Sequence, residues 1–348
     1  MVTRQKIHEI LSEYKDFRIA TICSHSSLQI FRGARQEGIK TVGIVKKDKK
    51  ELYESFPLAK PDEFLVVDDY ADVPEDELRA RNAIIIPHGT FVEYVGEKFD
   101  TLEVPIYGNR NSIVWERSRS KMFEWLHKAN IKTPRVLKPE EIDGPALVKF
   151  PGAKGGRGYF IVKSYEDFKK KVGDRKCMVQ EFLIGVRAYP HYFFSPFKDQ
   201  DTGYKTKQGK LELLGFDRRV ESSADEIARA VSAGINPPLS FTVIGNEPLV
   251  LRESLLSEYM EIGRKTSEAS FELFDGMFGP FSVETIITDE LKIYAFEISA
   301  RIVAGTNFYP DGSPYSLYYY KEPMSTGRRI ARELKNAKAK NRLQDVIY

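Results

Sequence analysis

The sequence predicts an α/β fold, and three observations carry that prediction. Through the first third of the chain, short apolar runs alternate with helical segments, the pattern of a parallel sheet. A glycine-rich turn then joins two apolar strands within Ala146–Val162. Finally, Leu211–Phe216, Phe241–Ile244, Phe281–Ile287 and Lys292–Ile298 read as antiparallel strands, the last two joined by the turn Thr288-Asp289-Glu290. The chain thus begins as a parallel α/β sheet, passes through a small hairpin unit and ends as an α+β unit.

The elements follow in order. The opening segment MVTRQKIHEILSEYKDF reads as a charged amphipathic helix without the apolar core of a signal peptide. Phe17–Cys23 is a strand, followed by the turn Ser24-His25-Ser26 and a helix from Ser27 to Glu37. Lys40–Val45, Glu63–Val67, Ala83–Pro87 and the short Val104–Tyr107 are further strands, and a helix begins at Phe91. Ligands of parallel sheets sit at the carboxyl ends of the strands. Three polar turns fall there: Ser24-His25-Ser26, His88-Gly89-Thr90 and Gly108-Asn109-Arg110. A helix over Trp115–Asn130 leads through Thr133-Pro134 to the hairpin. Lys198–Lys210 lacks apolar periodicity and reads as an exposed loop, and Glu221–Pro238 is a long polar stretch. A basic amphipathic helix over Ser325–Ala339 closes the chain, its charges read as a solvated face.

Composition excludes several classes. The 348 residues suggest two or three domains, and 42% apolar residues are ample for a large core. No stretch is long and apolar enough to span a bilayer. Net charge is +3, too small for a nucleic-acid footprint. The two cysteines, Cys23 and Cys177, lie far apart, so neither a zinc site nor a disulfide framework is indicated, and a cytoplasmic location is expected.

The chemistry concentrates in the second half. In ALVKFPGAKGGRGYFIV, Gly152, Gly155, Gly156 and Gly158 let backbone amides approach a polyphosphate, and Lys149, Lys154 and Arg157 supply counter-charge. The turn runs strand to strand and lacks Gly-Lys-Ser/Thr, so it is neither a P-loop nor a dinucleotide-binding turn. It reads as a lid over phosphates. Gln180-Glu181-Phe182-Leu183 ends a strand before Gly185 and has the form of a hinge, offering main-chain hydrogen bonds and apolar faces to a purine. Glu284 and Glu297 fall in apolar contexts on adjacent strands, where cross-strand neighbours lie about 5 Å apart. Two carboxylates so placed repel and resist desolvation, and a hard divalent cation resolves the conflict. Arg301 can take a phosphate bidentately, and Ser24-His25-Ser26-Ser27 at a helix N-terminus forms a phosphate cradle.

The order of a lysine strand, glycine lid, Gln-Glu-Phe-Leu hinge, Glu284 and Glu297-Ile-Ser299-Ala-Arg301 resembles the ATP-grasp superfamily. Further stretches resemble one of its families, the archaeal PurP family of formate-dependent 5-formaminoimidazole-4-carboxamide ribonucleotide (FAICAR) synthetases. They include SHSSLQIFRGARQEG, IIPHGTFVEYVG, YGNRNSIVWERSRS, LLGFDRRVES, TVIGNEPLVLRESLL and FEISARIVAGTN, and they span nearly the whole chain. The resemblance implies an ATP-grasp fold with an acceptor-binding pre-ATP-grasp domain (1–115), a linker helix and lid (116–185) and a metal-bearing C-terminal subdomain (186–348). It implies ATP- and formate-dependent formylation of 5-aminoimidazole-4-carboxamide ribonucleotide (AICAR) through formyl phosphate, in purine biosynthesis. On that basis His25, Ser26, Thr90, Asn246 and Arg219 meet AICAR. Lys149, Gly155, Gly156, Gln180, Glu181, Phe182 and Glu221 meet ATP. Glu284 and Glu297 hold Mg²⁺ or Mn²⁺, and Lys149 and Arg301 serve the phosphoryl transfer. A homo-oligomer, a hexamer in one form, is also implied.

The chain departs from the family pattern in places. Ser299 replaces the usual Asn of the superfamily signature, and Thr90 the family's usual Ser. The stretch SADEIARAVSAGINPPL after Glu221-Ser222 replaces a more basic one, and Lys198–Lys210 is longer than usual. A paralogous ligase with another carboxylate or amine is the alternative reading. A binding-only protein is a third, and the retained Lys149, Glu284, Glu297 and Arg301 argue against it.

Overall fold

The computed structural model describes residues 1–150, 159–222, 226–236 and 242–348. Its strands form three sheets. The first is parallel, in the order β3-β2-β1-β4, from β1 (Arg18–Ile22), β2 (Thr41–Lys46), β3 (Glu63–Val67) and β4 (Ala83–Ile85). Helix α1 (Arg4–Ser12) precedes it, and α2 (Ser27–Gln36), α3 (Lys50–Glu54) and α4 (Glu75–Ala80) lie between its strands. The expected strand over Val104–Tyr107 shrinks to single bridges, Ile85 to Ile106 and Tyr107 to Ile347. Pro105 within it has no N–H to extend a ladder.

The expected helix over Trp115–Asn130 is two helices, α5 (Arg110–Arg117) and α6 (Arg119–Lys128). Ser118 between them leaves helical geometry (φ −98°, ψ 109°), and its hydroxyl caps α6 by accepting from Lys121 N. Ser118 competes for backbone donors, and the periodicity of apolar residues does not record that break.

The second sheet, β5 (Val136–Leu137), β6 (Ala146–Lys149), β7 (Tyr159–Val162) and β8 (Met178–Glu181), is antiparallel in the order β5-β8-β6-β7. Ala146, Val148, Val162 and Val179 pack with Phe168 of α7 (Tyr165–Lys171). Alternation therefore turns Leu147, Lys149, Met178 and Gln180 to the opposite face.

The third sheet is the largest. It runs β10-β11-β9-β13-β14, with β12 on β11. Its members are β9 (Val186–Ser195), β10 (Tyr204–Lys205), β11 (Lys210–Glu221), β12 (Val243–Pro248), β13 (Gly279–Ile287) and β14 (Ile293–Ser299). Strand β10 sits in the stretch read as a loop, and helix α8 (Ile227–Ser232) in the polar one. The sequence reading omitted α9 (Glu253–Phe274), whose Leu255, Tyr259 and Ile262 bury against Tyr192, Leu211, Leu213, Phe281 and Val283 on one face of this sheet. A β-bulge between Leu213 and Gly215 shifts the register of β11. Beyond it Asp217 and Arg219 join Tyr189, His191, Ser282 and Glu284 on the other face. That polar face is the floor of the site.

Helix α10 (Thr326–Ala339) crosses α2 with glycines at the contact. A Cβ on Gly33 would lie 2.2 Å from Arg328 N, and one on Gly327 2.3 Å from Gln29 O. The charges of α10 are not all solvated, as the sequence reading had them. Arg329 and Glu333 are buried, and Arg329 pairs with both Glu212 and Glu333. No described helix is long and apolar enough to cross a membrane.

Candidate active site

Glu284 of β13 stands directly opposite Glu297 of β14. The Glu284 side chain is 2% exposed. Burial pushes its pKa up to about 7 against the pull of Arg219, and Glu297 adds to the rise. Arg219 pairs with Glu284 Oε1, while Oε2 is buried with no partner among the described residues. A buried, unpartnered carboxylate oxygen facing a second carboxylate is a donor set that fits a hard divalent cation. Two carboxylates leave its remaining positions to phosphate and water oxygens. Arg219 lies 4.7 Å from the Tyr189 ring centroid. Burial opposes its charge, yet Glu284, Tyr189, Glu297 and Asp217 together raise its pKa.

Lys149 faces this floor from the lid sheet. Its ammonium is 5.7 Å from the Phe296 ring centroid. Burial, and then the charge of Arg119, lower its pKa to about 8, while Glu297 and Glu284 pull it up. Phe296 is the extra residue where the β13–β14 register shifts between Glu284 and Thr285. The bulge thus places an aromatic ring beside the lysine.

Arg301 does not project freely toward phosphate. It is clamped by Glu116 of α5, whose Oε1 accepts from Arg301 Nε at 3.1 Å and whose Oε2 accepts from Ala300 N at 2.8 Å. Burial raises the Glu116 carboxyl, and Arg301 with the Ala300 amide works against that rise. Glu116 was not among the sequence candidates. It lies in a matched stretch, but nothing in its neighbours marks it as the partner of a residue 185 positions away.

His25 opens to the cleft in a left-handed conformation (φ +54°). Its Nδ1 is 2.7 Å from Ser26 Oγ, and Ser26 in turn donates to Val303 O. A Cβ on Gly89 would fall 2.8 Å from His25 Nε2, so this glycine makes room for the histidine, and the Arg301 guanidinium carbon lies 3.7 Å from the same point. The His25 ring stacks on His88, with centroids 5.2 Å apart. Desolvation, followed by His88, Arg301 and Arg219, holds the His25 imidazole well below its usual range. His88 is fully buried; its Nε2 donates to Ile22 O at 2.9 Å, and its Nδ1 accepts from Thr90 N. Thr90 is buried beside it.

On β12, Asn246 donates to Asp217 Oδ2 at 2.5 Å, and Asp217 Oδ1 accepts from His191 Nε2 at 2.7 Å. Gln180, on the cleft face of β8, is 1% exposed, and its Nε2 has no partner among the described residues. Two amides of the hinge are already used within the fold. Glu181 N already donates to Arg135 O and Phe182 N to Pro145 O. The Glu181 carboxylate turns outward to Arg135. Glu221 pairs with Arg187. Gly155 and Gly156, with the rest of the lid turn, lie outside the described residues.

The structure thus brings Lys149, Arg219, Glu284 and Glu297 into one electrostatic group, and His25, Thr90 and Arg301 into a second beside it. Besides Glu116, sequence reading passed over Asp217 and Phe296.

Comparison with known proteins shows the family and the fold. Two family models match: a protein of unknown function, DUF1246, over residues 19–137, and a domain of unknown function, DUF1297, over residues 166–348. The 5-formaminoimidazole-4-carboxamide-1-(beta)-D-ribofuranosyl 5'-monophosphate synthetase of Methanococcoides burtonii is 53% identical, with 96% of each chain covered. Synthetase 1 of the same name from Methanosarcina mazei is 51% identical over the full length of both. Among solved structures, an IMP biosynthesis protein PurP from Thermococcus kodakaraensis matches with a TM-score of 0.75 and 32% identity, covering 95% of this chain and 100% of that one. N5-carboxyaminoimidazole synthetase from Staphylococcus aureus, complexed with ADP, shares the fold at a TM-score of 0.59 and 14% identity, covering 85% of this chain and 73% of that one. The chain has the ATP-grasp fold and belongs to the family of 5-formaminoimidazole-4-carboxamide-1-(beta)-D-ribofuranosyl 5'-monophosphate synthetases.

Proposed function

We propose that this chain is an ATP-dependent carbon–nitrogen ligase that joins formate to the 5-amino group of AICAR, giving FAICAR, ADP and phosphate. The observation that carries the reading is the unpartnered Oε2 of buried Glu284, opposite Glu297 and below Lys149. A formate oxygen takes the γ-phosphoryl group of ATP to form formyl phosphate. The 5-amino nitrogen of AICAR then attacks the formyl carbon, the bond from that carbon to the phosphate oxygen breaks, and the amine gives up a proton. Transfer of this kind depends on positioning and charge neutralisation more than on covalent help from the protein. Mg²⁺ or Mn²⁺ held by Glu284 and Glu297 would neutralise phosphate charge when bound. Lys149 supplies positive charge from the lid side, and Arg301, fixed by Glu116, supplies it from the acceptor side. His25, Ser26, Thr90, Asn246 and Arg219 surround AICAR. Gln180, Glu181, Phe182 and Glu221, with Gly155 and Gly156, surround ATP.

Acceptor binding within 1–115, lid within 116–185 and metal site within 186–348 is supported by the three sheets falling in those ranges. The family resemblance further implies a cytoplasmic homo-oligomer. Phosphate release from ATP and Mg²⁺, with formate and AICAR added singly and together, tests the function. Turnover that requires both is the expected result. Turnover with AICAR but without formate, or none with both, would overturn it and favour a paralogue with a different acid or acceptor.

A further inference from the structure

Asn246 carries an amide, which can present either a donor or an acceptor to a ligand. Its neighbours decide which. Asn246 Nδ2 lies 2.5 Å from Asp217 Oδ2, and His191 Nε2 lies 2.7 Å from Asp217 Oδ1. Asp217 and His191 are each 2% exposed. An ionised carboxylate only accepts, so Asn246 must turn its NH₂ group toward Asp217 whichever way the amide would otherwise lie. Asn246 Oδ1 is then left pointing away from Asp217, with no partner among the described residues. Asn246 pairs with Arg219 across β12 and β11, on the polar face that floors the cleft. Asp217 has little room to swing. A Cβ on Gly305 would sit 2.2 Å from its Oδ1. The Tyr309 ring packs edge-on against His191 at 6.1 Å.

We infer that His191 and Asp217 lock the amide of Asn246 so that its oxygen, an acceptor, faces the cleft and selects a ligand offering an N–H there. The 5-amino and carboxamide groups of AICAR both offer one, and for this ligand the inference rests on the proposed function. Asp217 and His191 are positioning residues that act through Asn246. A site built to bond an N–H discriminates strongly against a ligand that lacks it, because its own polar group is then left unmet.

Exchanging the two partners tests this. In Asp217→Asn, residue 217 still accepts from His191, but its NH₂ meets the NH₂ of Asn246, so Asn246 turns its oxygen inward and shows the ligand a donor. In Asn246→Asp, two carboxylates face each other. In the double variant the amide at 217 donates to the carboxylate at 246, whose second oxygen again faces the cleft, with net charge unchanged. Calorimetry with AICAR should show at least about tenfold weaker binding in each single variant and recovery to within about threefold in the double, tenfold being about 1.4 kcal/mol. Ribose 5-phosphate, which has no N–H, should bind all four proteins alike. Equal loss in all three variants, or singles that bind like wild type, overturns the inference. Gly305→Ala, whose Cβ would press on the Asp217 carboxylate, should weaken AICAR binding in the same direction. Unchanged binding there also counts against it. Binding needs no turnover. A wild type that binds AICAR and shows the swap pattern without formate-dependent phosphate release removes the proposed reaction and keeps the inference; a wild type that does not bind AICAR removes the inference.

Discussion

Lys149 is an ammonium lowered to about 8, chiefly by burial and by Arg119, in a cleft that also holds two carboxylates. Its sign is simple: protonated below that value, neutral above it. ATP binding restores the charge, because phosphate favours the protonated form. Above pH 8, ATP binding is therefore expected to take up a proton, and affinity should fall as pH rises. Calorimetry at pH 9 in two buffers of different ionisation heat measures that uptake. Lys149→Arg, whose charge persists, should abolish it. Uptake of the same size in both proteins would place the titrating group elsewhere. Lys149, Glu284 and Glu297 were legible in the sequence because a charged residue inside an apolar strand needs a reason to be there. Glu116 and Asp217 were not, because each matters through distant partners, Arg301 and Ala300 for the first and Asn246 and His191 for the second.

Two elements show how local pattern and packing divide the work. Helix α2 read as a helix and α10 as an amphipathic one from their own residues, but neither sequence states that they cross with Gly33 and Gly327 at the contact. Gly33→Ala should force the helices apart, since its Cβ would meet backbone 2.2 Å away. The expected cost is about 1–3 kcal/mol in urea unfolding. A variant as stable as wild type would show that the crossing relaxes freely. Strand β11 makes the same point for the site. Strict alternation would put Asp217 and Arg219 on the face of Leu211 and Leu213, beneath α9. The bulge before Gly215 turns them to the cleft, where Asp217 bonds His191 and Arg219 bonds Glu284. A bulge leaves no reliable trace in a periodic pattern.

At the scale of the molecule, the cleft lies where the three sheets meet, and the Glu116–Arg301 pair is one of its ties. Glu116 comes from a helix after the parallel sheet, and Arg301 leaves the last strand of the largest one. Glu116→Ala would leave a mostly buried guanidinium unpaired, a loss of about 3–5 kcal/mol. Glu116→Gln keeps the acceptor for Ala300 N and should cost less. Urea unfolding separates the two variants, and phosphate release should fall in both as Arg301 loses its orientation. If Glu116→Ala unfolds like wild type, the tie is not structural.

The sequence by itself determined the fold class, the lysine strand, the carboxylate pair and the resemblance that leads to the family. These are local or strictly ordered features: strand periodicity, an apolar context around a charge, motifs in a set sequence. Only the tertiary structure decided which groups touch. It split the helix at Ser118, reduced Val104–Tyr107 to bridges, occupied the Glu181 and Phe182 amides of the hinge, tied Arg301 to Glu116 and turned Asn246 to one orientation. The last three of those outcomes depend on a hydrogen bond or an ion pair between distant segments. The energy of such contacts exists only once the chain has brought them together.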